Sequence, residues 1–380
     1  MDSVFPPSEQ ARLRALHLDL LRADLLLGTP GWRGLLQQAS AEAAALGASL
    51  ELAIFLTDAA EDELAALAAA LSELRPPVAQ WLIFHVAEKT TTLPWIRLAR
   101  RYLAGSTAKA KLGAGTNAYF TELNRQPPPV EELDLLCYSI TPQVHAFDNA
   151  SLVETLEIQA ETVVSARRFT GTVPIAITPV TLRPRFNPNA TGPAPEPAPG
   201  ELPPQVDVRQ MSLFGAGWTL GSLKYLAQSG VYSVTYYETT GWRGVMETQA
   251  GSPMPQRFPS LPGAVFPLYH VLADAGEYKE GAVLPAHSSA PLQFEGFALQ
   301  RNDRVRVMLA NLGPAEQRVR VRCPLLGRRV RLRSLDETTA LPAMRTPETY
   351  RISAWQTLTA PHGDLLVELR PFAYCCIENA

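Results

Sequence analysis

Two runs of the chain stop at a glutamate in a manner that suits acid–base chemistry. The first, GTNAYFTELNR over residues 115–125, places Glu122 just beyond a β-branched and aromatic stretch. The second, VTYYETTGWRG over residues 234–244, places Glu238 likewise. Two carboxylates on two strand ends supply a general acid and a general base, or an acid and a nucleophile. That is the equipment for splitting an acetal or an ester of a sugar. Either glutamate alone also reads as a solvated strand-end carboxylate; the matched pair, each preceded by aromatic residues, favours chemistry. Between them lies His145, in TPQVHAFD over residues 141–148, again just past a strand. It can act as a general base, as a hydrogen-bond donor to substrate, or as a metal ligand beside Glu122. No HxH or HExxH spacing supports a metal, and a catalytic zinc wants three protein ligands plus water. Neither a metal nor another cofactor is expected.

Further polar residues sit in the same settings. Arg22 and Asp24 alternate with Leu21, Ala23 and Leu25, so they share one face of a strand. They either orient a catalytic carboxylate or form a structural pair. His85 closes the apolar run WLIF, and Asn117 and Asn124 belong to the run that carries Glu122. Arg183 and Arg185, in TLRPRFN, can hold a carboxylate or a polyol. Tyr237 and Trp242 offer rings for a sugar face, whereas Trp218 falls inside a helix and reads as core. Asp207, ahead of Arg209 and Gln210, can cap the helix it opens. The substrate-binding set is thus Arg22, Asp24, His85, Asn117, Asn124, Arg183, Tyr237 and Trp242. No Gly-x-Ser-x-Gly nucleophile elbow occurs, so a carboxylate or His145 must activate water.

The elements that position these residues alternate helix and strand. Strands are predicted at 20–26, 50–56, 81–86, 111–120, 135–140, 173–180 and 232–237. Helices are predicted at 8–16, 32–46, 61–74, 93–103, 152–168, 211–229 and 266–276. Near-continuous apolar strands between amphipathic helices argue for a parallel sheet covered by helices, and at this length for a TIM-type (β/α)8 barrel. Seven strands are convincing and two counts stay open. In one, the barrel lacks its first strand. In the other, residues 20–26 are the first strand and the eighth lies near Gly244-Val245-Met246, with Glu122 on strand four and Glu238 on strand seven. The proline-rich stretch 187–204 reads as a long loop beside the site or as a disordered linker. After residue 284 the pattern changes to period two, which predicts an antiparallel β-sandwich. The expected domains are a barrel over 1–284 and a β-sandwich over 285–380.

Composition narrows the classes further. With 380 residues and 46% hydrophobic content, a large core can form. A net charge of −3 leaves no electrostatic footprint for nucleic acid. Arginines cluster at 301–306 and 318–333, alternating with valine and leucine, which reads as a solvated strand face. The four cysteines lack metal-ligand spacing and are expected to be reduced thiols. No membrane-length apolar stretch and no signal peptide is present, so a cytoplasmic protein without a membrane partner is expected.

The longer motifs carry a resemblance. GTNAYFTELNR, PQVHAFDN (142–149), PVTLRPRFNP (179–188), VDVRQMSLFGAGWTLGSLKYL (206–226), VTYYETTGWRGVME (234–247) and FPLYHVLAD (266–274) together resemble the D-apionate lactonases of apiose catabolism. The resemblance runs from about residue 8 to the C-terminus. It implies a glycoside-hydrolase-like barrel and a hydrolase that opens D-apionolactone to D-apionate. Members carry an N-terminal β domain and a leading barrel strand ahead of the segment matching Ser8. A missing N-terminal domain or a partner chain that supplies a strand is therefore expected. The assigned roles are Glu238 as general base, Glu122 as general acid, and His145 or an arginine polarising the carbonyl. Two alternatives stay open: a retaining glycosidase with Glu238 as nucleophile and Glu122 as acid/base, and a non-catalytic carbohydrate-binding relict.

Overall fold

Strands that are apolar on both faces must be covered on both faces, and the first half of the chain supplies a series of them. A computed structural model describes residues 5–105, 109–190, 192 and 197–380. The chain divides into two units, Met1–Thr141 with Glu161–Val180 and Val231–Tyr236, and Pro142–Ala160 with Thr181–Gly230 and Tyr237–Ala380. The elements run α1 (Pro7–Arg14), β1 (Leu20–Leu26), α2 (Trp32–Leu46), β2 (Ser49–Leu56), α3 (Ala60–Leu74), β3 (Val78–His85) and α4 (Leu93–Leu103). There follow β4 (Lys111–Tyr119), α5 (Phe120–Arg125), β5 (Leu135–Ile140), α6 (Asn149–Thr170), β6 (Ile175–Val180), α7 (Leu213–Gln228) and β7 (Ser233–Tyr236). Local chemistry sets the boundaries. Gly47 ends α2 in the left-handed conformation. Glu61, Asp62 and Glu63 occupy the positive first turn of α3, and Pro76 and Pro77 follow its end.

In the first unit the seven strands β1 to β7 form one parallel sheet in sequence order. The sheet is rolled. Glu51 on β2 accepts hydrogen bonds from Thr178 on β6 and from Thr235 on β7, the latter at 3.2 Å. Two strands break the regular ladder. From Gly115 to Tyr119, β4 advances four positions while β5 advances only two, from Cys137 to Ser139. Gly115 permits this bulge because a Cβ there would lie 2.0 Å from the carbonyl oxygen of Cys137. On β6, Ile177 to Val180 is three steps where β5 and β7 each take two.

The second unit contains α7, whose small residues Gly215, Ala216, Gly217 and Gly221 are all buried. Ser212 caps it by accepting from the Gly215 amide at 3.1 Å. Next come β8 (Glu238–Thr240) and β9 (Gly244–Met246), paired in parallel, and then α8 (Pro267–Gly276). A strand does lie at Gly244–Met246, where one of the two counts put the eighth of the barrel, but it pairs with β8 and not with the seven-stranded sheet.

The C-terminal part contains β10 (Ala282–Leu284), β11 (Phe294–Arg301), β12 (Arg304–Asn311), β13 (Gln317–Arg322), β14 (Arg329–Leu335), α9 (Ala340–Arg345) and α10 (Pro347–Ser353). It closes with β15 (Gln356–Thr359), β16 (Asp364–Leu369) and β17 (Tyr374–Asn379). Six strands form an antiparallel sheet in the order β10-β11-β12-β17-β14-β15, and β13 pairs with β16. Val319, Val321, Leu365 and Val367 of the pair share a core with Val305, Val307, Val330 and Ile377 of the larger sheet. The expected antiparallel sandwich is therefore present. The period-two runs at 293–299, 305–312, 317–322, 329–334 and 365–369 correspond to β11, β12, β13, β14 and β16, whereas β10, β15, β17 and the helices α9 and α10 carry no such signal.

The solvated-face reading of the arginines holds for Arg318 and Arg320 but fails for Arg306 and Arg333. Those two are 1% and 2% exposed. Arg333 donates to Asp274 of α8 at 2.5 Å, and Arg306 donates to the Asp274 carbonyl oxygen at 2.5 Å and pairs with Glu277 at 2.6 Å. Arg351 joins Asp274 at 2.8 Å, and the Tyr374 hydroxyl donates to it at 2.6 Å. Burial opposes ionisation of Asp274, but the three guanidinium groups outweigh it and hold its pKa far below the usual carboxylate range.

His270, also on α8, is fully buried, and its Nε2 lies 3.1 Å from the Ala343 carbonyl oxygen. Burial, helped by Arg351, pushes its pKa from the ordinary 6.5 down to about 3. The unfolded chain therefore takes up a proton that the folded chain refuses as pH falls below 6.5. Its contribution to stability is complete above pH 6.5 and is lost towards pH 3. The urea midpoint should fall between pH 6.5 and 4.5, and in His270→Gln it should fall distinctly less over the same window.

Candidate active site

Chemistry in a rolled parallel sheet depends on which side chains the strands turn inward and on what the loops after them carry. In the first unit Arg22 reaches across the interior from β1. Its Nε donates to Asp24 at 2.7 Å and its Nη2 to the Asn117 side-chain oxygen at 3.0 Å. Its Nη1 donates to the carbonyl oxygen and the hydroxyl of Thr178, both at 2.9 Å. The bulges of β4 and β6 are what bring Asn117 and Thr178 into range. Three predicted residues, Arg22, Asp24 and Asn117, are thus joined in one cluster. Burial disfavours the charge of Arg22, yet Asp24 and Glu51 reverse that and raise its pKa.

Glu51 completes the cluster and was missed from sequence. Its pKa is raised, chiefly by burial, against the opposing effect of Arg22. One carboxylate oxygen, Oε2, has no hydrogen-bond partner in the described structure. A lone charge in the apolar strand SLELAIFL was the available signal, since such a residue must find a partner inside.

Glu122 does not end β4; it lies in the first turn of the short helix α5 and is buried. The bulge lets β4 finish at Tyr119 and the chain turn at once into the helix. Arg125 donates to Glu122 at 2.9 Å and Lys89 lies at 3.7 Å. Asn124, two residues on, is exposed. His85 is buried, with its ring stacked on Trp95 at 4.3 Å and its Nε2 3.5 Å from Asp58.

In the second unit Glu238 opens β8 directly after Tyr237, which holds the left-handed backbone with φ 56°. A tyrosine in that region marks a site where the fold imposes an unfavourable backbone. The Glu238 side chain is half exposed and pairs with Arg243, a residue the sequence reading left out. Tyr237 is not an open stacking face. Its ring is buried, and its hydroxyl lies 2.7 Å from Thr219 Oγ1 on α7. Trp242 is partly exposed and meets Phe258 edge-on at 6.4 Å, while Trp218 is core as read.

The loops after β5 and β6 hold a second polar cluster in this unit. Asp207 accepts from the Arg209 amide and Nε, each at 2.9 Å, from Gln143 at 2.7 Å and from Arg183 at 3.2 Å. Burial raises its pKa less than the Arg209 and Gln143 hydrogen bonds lower it, leaving it at about 2. His145 stands exposed in the same loop as Gln143. Of the stretch 187–204, residues 191 and 193–196 lie outside the described residues. Among the described residues no three His, Cys, Asp or Glu side chains gather as a metal would require. No helix among them is long and apolar enough to cross a membrane.

A family model described as the TIM barrel domain of D-apionate lactonase matches residues 6–280. The chain belongs to the D-apionate lactonase family. A second model, the C-terminal immunoglobulin-like domain of D-apionate lactonase, matches residues 291–377. A D-apionate lactonase from Brucella anthropi is 30% identical over 161 residues, 42% of this chain and 25% of that protein. The match thus spans a quarter of the curated relative's length. Among solved structures, an arabinofuranosidase aligns with a TM-score of 0.65 at 14% identity, covering 98% of this chain and 89% of its own. A GH39 beta-xylosidase from Caulobacter crescentus aligns with a TM-score of 0.59 at 14% identity, covering 99% and 93%. These likenesses concern the fold, a barrel followed by a β domain, and they agree with the motif resemblance.

The Arg22 cluster makes a stability prediction. Arg22→Met removes the guanidinium that donates to Asp24 and whose charge counters that of the buried Glu51. Unfolding in urea should show a loss of about 3–5 kcal/mol, the usual result of breaking a buried pair. Adding Glu51→Gln to that variant should recover part of the loss, because the two changes share one interaction.

Proposed function

We propose that this protein is a hydrolase that opens a sugar-acid lactone, D-apionolactone to D-apionate, by water activated at Glu238. The presentation of Glu238 carries the reading. A half-exposed carboxylate, turned out by the left-handed Tyr237 and gripped by Arg243, sits within the span matched by the lactonase barrel model. A lactone is an internal ester, so its hydrolysis needs an activated water, a stabilised oxyanion and a proton for the leaving ring oxygen. Glu238 takes the proton from water as it attacks the carbonyl carbon. His145 or an arginine meets the developing oxyanion, and Glu122 returns a proton to the ring oxygen. Arg183 and Trp242 contact the substrate. Arg22, Asp24 and Asn117, joined in one cluster of the first unit, belong to the substrate-binding set. No step calls for a metal or cofactor. Residues 1–284 bear the chemistry in this reading, and residues 285–380 form the attached β domain.

Glu238→Gln and Glu122→Gln should each lower D-apionolactone turnover by about a hundredfold or more, the weight of a positioned base or acid. Treatment with EDTA should leave the rate unchanged. Unaltered thermal midpoints would show that the amide variants fold. Full activity in both would remove the pair as catalysts, and loss on chelation would point to a metal. Turnover of an aryl arabinofuranoside without lactone hydrolysis would select the glycosidase alternative.

A further inference from the structure

The cluster around Asp207 has more positive charge than it needs. One buried carboxylate, Asp207, faces two guanidinium groups, Arg183 and Arg209. Arg209 spends all its donors within the protein. Its Nε and Nη2 bond Asp207, Nη2 also bonds Gln143 at 2.7 Å, and Nη1 bonds the Phe147 carbonyl oxygen at 2.9 Å and Asn149 at 3.0 Å. Arg183 does not. It gives Asp207 only its Nε, at 3.2 Å, and no described residue accepts from its Nη1 or Nη2.

Its plane is fixed nonetheless. The guanidinium lies over the Phe147 ring at 5.1 Å, and its side chain is 30% exposed. Asp207 is itself locked by Gln143, which is fully buried and also donates to the Leu182 carbonyl oxygen at 2.6 Å. A guanidinium pinned through Nε and stacked on one face presents its remaining N–H groups as a fork. Such a fork matches the two oxygens of a carboxylate.

We propose that Arg183 is a carboxylate-binding residue for a small hydroxy acid, with Asp207, Gln143 and Arg209 as the positioning residues that aim it. This deepens the lactonase reading and rests on it for the identity of the acid. The substrate lactone carries no charge, whereas the opened product is an anion whose carboxylate derives from the lactone carbonyl. The fork therefore favours product over substrate, and the enzyme should be inhibited by the acid it makes.

The test is calorimetric titration of the full chain with D-apionate, with the neutral polyol ribitol and with inorganic phosphate. D-Apionate should bind, ribitol should bind at least tenfold more weakly, and Arg183→Gln should weaken the acid by about tenfold or more. Arg183→Lys should fall between, since it keeps the charge but loses the fork. The thermal midpoint of unliganded Arg183→Gln should match that of the parent, so that a weakened titration reports the site. Equal binding of acid to parent and Arg183→Gln overturns the proposal. So does equal binding of ribitol, binding of phosphate as tight as that of the acid, or no binding of the acid at all. Glu238→Gln separates the two readings. If it retains full turnover while the Arg183 effect stands, the catalytic assignment fails and the carboxylate site survives.

Discussion

A carboxylate sealed from water has to be met by cations, and those cations must come from whatever packs over it. Asp274 on α8 is such a group. Arg306 of β12, Arg333 of β14, Arg351 of α10 and the hydroxyl of Tyr374 on β17 converge on it. Four separate elements of the C-terminal region are thereby committed to one helix. Removing Asp274 would leave the buried Arg333 guanidinium without its carboxylate, which is far more costly than losing a surface pair. Glu277 and Glu378 share the surplus positive charge, and both bond Arg306. The larger sheet has two unlike faces as a result. Val305 and Val307 turn towards β13 and β16, while Arg306 turns towards α8.

That asymmetry explains where sequence reading succeeded and where it failed. Alternation along RVRVMLAN shows that arginine and valine point to opposite faces, but it does not say what covers the arginine face. Water was the simpler inference, and it was right for Arg318 and Arg320, which are exposed and pair with Glu368 and Asp364 across the ladder. For Arg306 and Arg333 a helix takes the place of water. The strands of the parallel sheet were legible because each is a long apolar run between amphipathic helices. β17 was lost because Tyr374, Cys375, Cys376 and Ile377 are buried without alternation. The short helices α9 and α10 have too few residues for a period to show.

The site was legible in part for a related reason. Spacing located Arg22, Asp24 and Asn117, because charged or amide residues inside apolar strands are conspicuous. It could not show that bulges in β4 and β6 would bring Asn117 and Thr178 to the same guanidinium, since a bulge is set by pairing across strands. Glu51 went unread amid apolar neighbours, although its partner Arg22 had been marked. Arg243 escaped notice because only the folded turn after Gly241 returns it to Glu238. Glu122 was singled out by its place after a strand, but the chain has already turned into α5 there.

The links made by Arg22 also have a consequence for synthesis. The bond from Arg22 to Thr178 spans 156 residues of sequence. At roughly 5–20 residues per second of translation, β1 leaves the ribosome about 8 to 30 seconds before its partner on β6 exists. Until Asn117 emerges, 95 residues after Arg22, the guanidinium has solvent, Asp24 and Glu51 for company, and its two bonds to Thr178 come last. The early strands must wait as an open sheet edge, which is the interval in which a chaperone would have most to protect.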